Sequence, residues 1–271
     1  MNLLQACQDQ KLFGRWFKEP ATWESWFAFI AALFALPMST EQLEIYQRHT
    51  RRQAPPAAPI AEGWLVCGRA GKSFVLAVIA VFLACFKVYA QFLGPGERAT
   101  ILVIAADRKQ ARQIYRYIRG LITGTPLLAA MLEREPRADG LDLTNGVTIE
   151  IGTASFRTSR GYSFAAVLAD ELAFWPTDDS AEPDYAVLDA LRPGMANIPG
   201  AILLCASSPY ARRGALWDSF KRWRGRPRRS GLARCHAGDE PDHPSKHHRS
   251  CDRAGSVKRR GGIRRRIPHG P

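Results

Sequence analysis

Gly71, Lys72 and Ser73 lie in "WLVCGRAGKSFVLAV", where an apolar run enters a glycine-rich turn and leaves as a second apolar run. At a strand-to-helix junction, glycines free backbone N–H groups to face an anion. A lysine reaches the outer phosphates, a serine hydroxyl suits Mg²⁺, and the helix N-terminus adds its dipole. The usual spacing leaves four residues between the two glycines of such a cradle. Here Val66 stands in the first glycine's place, and only Arg69 and Ala70 separate Gly68 from Gly71. A surface turn ahead of a core helix would also account for the triplet taken alone.

The carboxylates such a site needs stand at Asp170 and Glu171, after the apolar "AAVL". One carboxylate at a strand end can hold Mg²⁺ and the next can activate a water; a solvated strand end with Glu171 capping the next turn is the structural alternative. Arg160 and Arg157, in "FRTSRGY", could stabilise charge on a transferred phosphoryl group or touch a DNA phosphate, although arginine-rich loops are commonly just solvated. Ser207 and Ser208, before Pro209, could sense the outermost phosphate, or could simply cap the helix expected from about Gly214.

The elements that must position these groups follow from periodicity. A strand at Trp64–Cys67, a helix to about Tyr89, a strand in "TILVIAA" and a helix N-capped by Asp107 alternate as in a parallel sheet. In that second helix Ile114, Ile118 and Leu121 form an apolar stripe against a basic face. Asn145-Gly146 between alternating runs predicts a hairpin inserted at the sheet edge. "FAAVLADE" and "GAILLCASSP" read as two further strands, and in an open α/β sheet ligands bind beyond the C-terminal strand ends. The three polar clusters should therefore meet at one crevice. Upstream, Phe13 to about Met38 reads as helical, with Trp16, Trp23 and Trp26 on one face, followed by a helix over about Thr40–His49 and a proline-rich extended linker.

Composition sets the frame. A hydrophobic content of 46% over this length can bury a core. The net charge of +13 is concentrated in Arg222–Pro271, which carries 15 Lys and Arg against 4 Asp and Glu and leaves the body nearly neutral. The longest apolar runs, "WFAFIAALFALPM" and "FVLAVIAVFLACF", have 13 residues each, against the roughly 20 that a membrane span requires, so both read as core helices. No signal-peptide pattern opens the chain, so its six cysteines are expected as reduced thiols. The tail's cysteines and histidines lack a Cys-x-x-Cys pair, which argues against a zinc site. Its composition cannot offset ordering entropy, which predicts disorder from residue 223 to 271.

The runs "WLVCGRAGKSF", "VIAADRKQARQIYRYIRG", "TASFRTSRGYSFAAVLADELAFW" and "GAILLCASSPYARRGALWDSF" together resemble, in order and spacing, the ATPase half of the large subunit of tailed-phage terminases. The resemblance spans about Met38 to Arg222. It implies an α/β fold: a three-layer P-loop NTPase-like core with a mainly parallel sheet over 54–222, a helical segment over 1–53 and a disordered basic tail. It implies ATP and Mg²⁺ as cofactors, with Gly68, Arg69, Gly71, Lys72, Ser73, Ser207 and Ser208 binding nucleotide. Ser73 and Asp170 would hold the metal, and Glu171 and Arg160 would serve catalysis. Implied partners are double-stranded viral DNA, the terminase small subunit and the capsid portal, with no membrane, a homo-oligomer as one expected state and the host bacterial cytoplasm as the location.

Two departures accompany the resemblance. The phosphate loop is one residue shorter at Arg69-Ala70 than the family's common Gly-Arg-Arg-x-Gly-Lys-Ser. The nuclease domain that follows in the family is expected to be missing here: "GIRRRIPH", Gly262–His269, is what the codons of a family-type Glu-Tyr-Val-Ala-Glu-Phe-Arg-Thr run yield one base out of frame. The expectation is a truncated subunit of prophage origin with a frameshifted tail. Its alternatives are a catalytically inactive remnant that binds only DNA or the portal, and a helicase-like ATPase, for which no further motor motifs are found.

Overall fold

The computed structural model describes residues 1–68, 71–154, 161–175, 183–223 and 234–235. The N-terminal segment forms α1 (Leu3–Gln8), α2 (Glu24–Leu33) and α3 (Thr40–Thr50). Capping boxes start two of these helices, Asn2 with Gln5 and Ser39 with Gln42. The expected single helical face of three tryptophans does not form. Residues 13–38 break into 3₁₀ turns at Gly14–Trp16 and Pro20–Trp23 before α2 begins, so Trp16 belongs to a different element from Trp26. Pro20 at a first helical position starts a new turn and cannot continue an older one.

The core then runs β1 (Glu62–Val66), α4 (Lys72–Phe86), β2 (Ala99–Ala105), α5 (Arg108–Thr123), α6 (Pro126–Ala129), β3 (Gly140–Asp142), β4 (Val147–Thr153), β5 (Ser163–Asp170), α7 (Pro183–Leu191), β6 (Ile202–Ser207), α8 (Gly214–Trp223) and β7 (Arg234–Cys235). The described strands join one sheet in the order β3-β4-β2-β5-β6-β1-β7, parallel throughout except for β3 on β4. The hairpin expected around Asn145-Gly146 is this edge pair, and Gly146 takes the positive φ of 79° that the turn demands. Asp107 caps α5 as expected, accepting from the backbone N–H groups of Lys109 and Gln110.

Strand residues alternate between two cores. Leu65, Ile101, Val103, Ala166, Leu168 and Leu204 pack with α4, α5 and the N-terminal helices. Trp64, Leu102, Ile104, Val167, Leu203 and Cys205 pack with α7 and α8 on the other face. A sheet covered on both faces explains why its strands read as unbroken apolar runs. α4 is buried from Val75 to Ala84, which accounts for an apolar run on all sides of a helix too short to span a bilayer. Among the described residues no helix is long and apolar enough to cross a membrane. Cys7, Cys67, Cys85 and Cys205 are free thiols, and burial pushes Cys7, Cys67 and Cys85 up to about 12, so they act as small hydrophobes.

Candidate active site

Register brings the polar clusters together. β6 lies between β1 and β5, with Val66 opposite Ser207 and Asp170 opposite Ala206, so the three strands end at one level. Beyond that level the turn after β1, the acidic pair after β5 and the serines after β6 share one rim.

At the rim, the Lys72 Nζ donates to Asp170 Oδ1 at 2.7 Å and to Glu171 Oε1 at 2.8 Å. Two consecutive residues of a strand ordinarily point to opposite faces. Here Glu171 adopts a left-handed conformation, φ 50° and ψ 42°, which turns the chain at the strand end and lets both carboxylates meet one amine. A non-glycine residue in that region stores strain, and such residues cluster at functional sites. Trp175 Nε1 donates to the Asp170 carbonyl at 3.1 Å and ties down the turn that follows.

The remaining contacts complete a closed network. Ser73 Oγ donates to Asp170 Oδ2 at 3.1 Å. The Ser208 backbone N–H and its Oγ donate to Glu171 at 3.0 and 3.2 Å, and Ser207 Oγ lies 3.3 Å from Glu171 Oε2. Lys72 and Asp170 are only 6% and 3% exposed at the side chain, Glu171 20%. Burial works to depress the Lys72 pKa, but Asp170 and Glu171 outweigh it and hold the ammonium above its usual value. Burial likewise pushes Glu171 upward, and donation from Lys72 and Ser208 overcomes it, holding the carboxyl below its ordinary range.

Gly71 is the N-cap of α4 with φ 84°, and as a glycine it brings no side chain to cap the leading amides, the groups a helix N-terminus offers to an anion. Gly68 is exposed, and a Cβ there would meet nothing within 4 Å. Arg69, Arg157 and Arg160 lie outside the described residues. Ser73 Oγ and the Asp170 carboxylate form a hard oxygen pair that fits Mg²⁺, an ion usually held by one or two protein groups together with waters and substrate phosphates. Among the described residues no group of three or more His, Cys, Asp or Glu side chains could form an all-protein metal cage.

One supporting residue escapes a reading of the local sequence. A Cβ on Gly71 would lie 3.3 Å from the Trp23 ring, and that ring also packs 5.7 Å from Phe74 in the first turn of α4. The 47 residues between Trp23 and Gly71 carry no periodic signal linking them. Trp175, by contrast, stands five residues after Asp170 in a run already singled out.

No protein-family model and no curated protein matches the chain. Among solved structures, the HK97 bacteriophage large terminase superposes with a TM-score of 0.51 at 20% identity, covering 76% of this chain and 41% of that one. The matched region thus spans about two fifths of that protein's length. The ATPase domain of the Thermus phage P74-26 large terminase superposes with a TM-score of 0.45 at 18% identity, covering 77% of this chain and 84% of that domain. The chain therefore has the three-layer α/β fold seen in the HK97 large terminase, with Lys72, Asp170 and Glu171 at the rim of its sheet.

Proposed function

We infer that the chain is the ATPase part of a prophage terminase large subunit, which hydrolyses ATP to drive double-stranded viral DNA into a capsid. The observation that carries this reading is Lys72 held against both Asp170 and Glu171, with Ser208 bonded to Glu171. A structural ion pair needs one carboxylate; a phosphate-transfer site needs a cation, a metal ligand and a base within reach of one another.

In this reading the triphosphate docks at the N-terminus of α4. The Lys72 ammonium leaves the carboxylates for the outer phosphates, an exchange of one anionic partner for another at little electrostatic cost. Glu171, relieved of that donor, orients the attacking water and takes its proton. Ser73 and Asp170 would hold Mg²⁺, which would supply neutralisation of the charge on the phosphoryl group. Ser207 and Ser208, bonded to Glu171, pass the loss of the phosphate to α8. Arg160 is proposed as the cation that stabilises the transition state. The exposed residues Arg108, Lys109, Arg112, Arg116 and Arg119 line one face of α5 and would contact DNA phosphates. The small subunit and portal as partners, self-association, the host cytoplasm and a frameshifted tail belong to the same proposal.

The test is ATP turnover by the full chain beside Lys72→Ala and Glu171→Gln. The expected outcome is loss of both binding and turnover for the first and of turnover alone for the second; equal rates in all three remove the enzyme reading. A second reading, an inactive remnant that binds DNA or the portal, is favoured by the two residues, in place of four, between Gly68 and Gly71. Wild-type protein that binds DNA and not ATP would select it.

A further inference from the structure

Two stretches of chain leave the rim beside Glu171. One runs through the 3₁₀ turn Leu172–Phe174 toward α7, the other from Ser208 through Pro209 and Arg213 into α8. Contacts join them along the way. The Ala173 backbone N–H donates to Ser207 Oγ at 3.1 Å, and the Phe174 and Tyr210 rings lie 4.5 Å apart. Farther out, the Asp184 carboxylate of α7 accepts from the Ala215 backbone N–H at 2.6 Å, and Tyr185 Oη donates to Asp218 Oδ2 at 2.8 Å.

The Asp184 bond supplies what α8 lacks in its own sequence. The leading amides of a helix need an acceptor, yet Arg213 offers only donors and the first turn of α8 holds no acidic residue. Asp184 fills that place from another helix. It is 9% exposed, and its second oxygen accepts from the Tyr185 backbone N–H at 3.0 Å. A carboxylate at a helix N-terminus strengthens the bond through its charge. The approach is close: a Cβ on Gly214 would lie 2.5 Å from Asp184 Oδ2.

We propose that Asp184 is a positioning residue for Glu171: by capping α8 from α7 it fixes the far end of the segment whose near end, Ser208, bonds that carboxylate. The inference rests on the reading of Glu171 as the base and adds how that base is held. Only five residues separate Ser208 from Gly214, and Pro209 stiffens the first of them, so a shift in the first turn of α8 reaches Ser208. Ser208 gives Glu171 its backbone N–H at 3.0 Å and its Oγ at 3.2 Å, bonds that remain to the carboxylate once Lys72 turns to phosphate. A misplacement of about 1 Å at a reacting group costs about a hundredfold in rate. α7, which brings no group to the phosphate site, thereby acts on it through α8.

Hydrogen exchange on the full chain reads this coupling without turnover. Asp184→Ala is expected to speed exchange at the Ser208 amide as well as at Ala215, each by about tenfold, the effect of losing one hydrogen bond. Exchange that quickens at Ala215 and not at Ser208 makes Asp184 a helix cap alone and overturns the proposal. In ATP turnover the same variant should lower kcat by about tenfold or more and leave KM near the wild-type value, because Lys72 and Gly71 are untouched. Asp184→Asn keeps a capping acceptor and should restore most of the rate. Gly214→Ala strikes the same contact from α8 and should reproduce the Asp184→Ala pattern, which keeps the test open where Asp184→Ala folds poorly. A raised KM with unchanged kcat, or wild-type kcat in both folded variants, overturns the proposal. A wild-type chain that turns over no ATP removes the reading of Glu171 as a base, and exchange at Ser208 then still decides whether Asp184 holds that residue in place.

Discussion

Lys72 bonds one buried and one half-buried carboxylate, and the sign of each pKa shift fixes how stability should respond to pH. Glu171 titrates below its ordinary value of 4.5 in the folded chain, so its contribution is fully present above pH 4.5 and is lost as pH falls through the lower folded value. Lys72 titrates above 10.5 when folded; its contribution is present below pH 10.5 and is lost as pH rises through the higher folded value. Chemical denaturation should therefore show no dependence on this pair between pH 5 and about 10, and a loss on the acid side that Glu171→Gln diminishes. Removing the cation alone is more damaging. Lys72→Ala leaves the buried Asp170 and the half-buried Glu171 carboxylates without their counter-ion, and a cost of about 3–5 kcal/mol in unfolding free energy is expected. The double variant Lys72→Ala with Glu171→Gln should recover part of that loss, because one of the two uncompensated charges is gone.

Among the elements, the turn between β1 and α4 is the one under closest steric control. Gly71 combines φ 84° with the Trp23 ring 3.3 Å from a would-be Cβ, whereas Gly146 at φ 79° faces open space. Gly146→Ala should cost about 1–2 kcal/mol in stability, the penalty for a left-handed alanine, and leave nucleotide binding intact. Gly71→Ala should cost at least as much and also weaken ATP, as read by melting and by titration. Trp23→Ala removes a partly buried ring that touches both Gly71 and Phe74; a loss of about 2–3 kcal/mol is expected, below that of a fully buried tryptophan. The strands and the hairpin were legible because each carries its own local signal: apolar runs buried on both faces, or Asn-Gly at a turn. The N-terminal segment was less legible. Its tryptophans sit at helical spacing, yet Gly14 and Pro20 divide the chain there, and the contacts that decide the outcome come from Phe74 and Gly71, far along the sequence.

Taken whole, the nearly neutral two-faced core still concentrates positive charge locally. On α5 that charge forms an exposed stripe, with Ile114, Ile118 and Leu121 buried on the opposite side. If the stripe tracks a phosphate backbone, Arg112→Ala and Arg116→Ala should each weaken duplex DNA similarly across sequences. Each should also reduce the slope of log affinity against log salt by about one, measured by anisotropy over a range of KCl. The convergence of Lys72, Asp170 and Glu171 was legible in advance because a parallel sheet collects its strand ends on one rim. The left-handed Glu171 that brings the acidic pair onto one side was not, since neither composition nor periodicity marks a strained backbone. Nor was the cap that Asp184 lends to α8, which needs α7 folded beside that helix.

The Trp23 ring behind Gly71 has a bearing on how the chain can be divided. Phe17, Trp23, Phe34 and Phe13 rest on the aromatic residues of α4, and Leu33 lies beside Gly63 of β1. A fragment starting at residue 54 would keep every group of the phosphate site and still bare the greasy flank of the helix that bears Lys72. Such a piece should clump on expression, so the least portion able to stand by itself has to carry the first fifty residues with it.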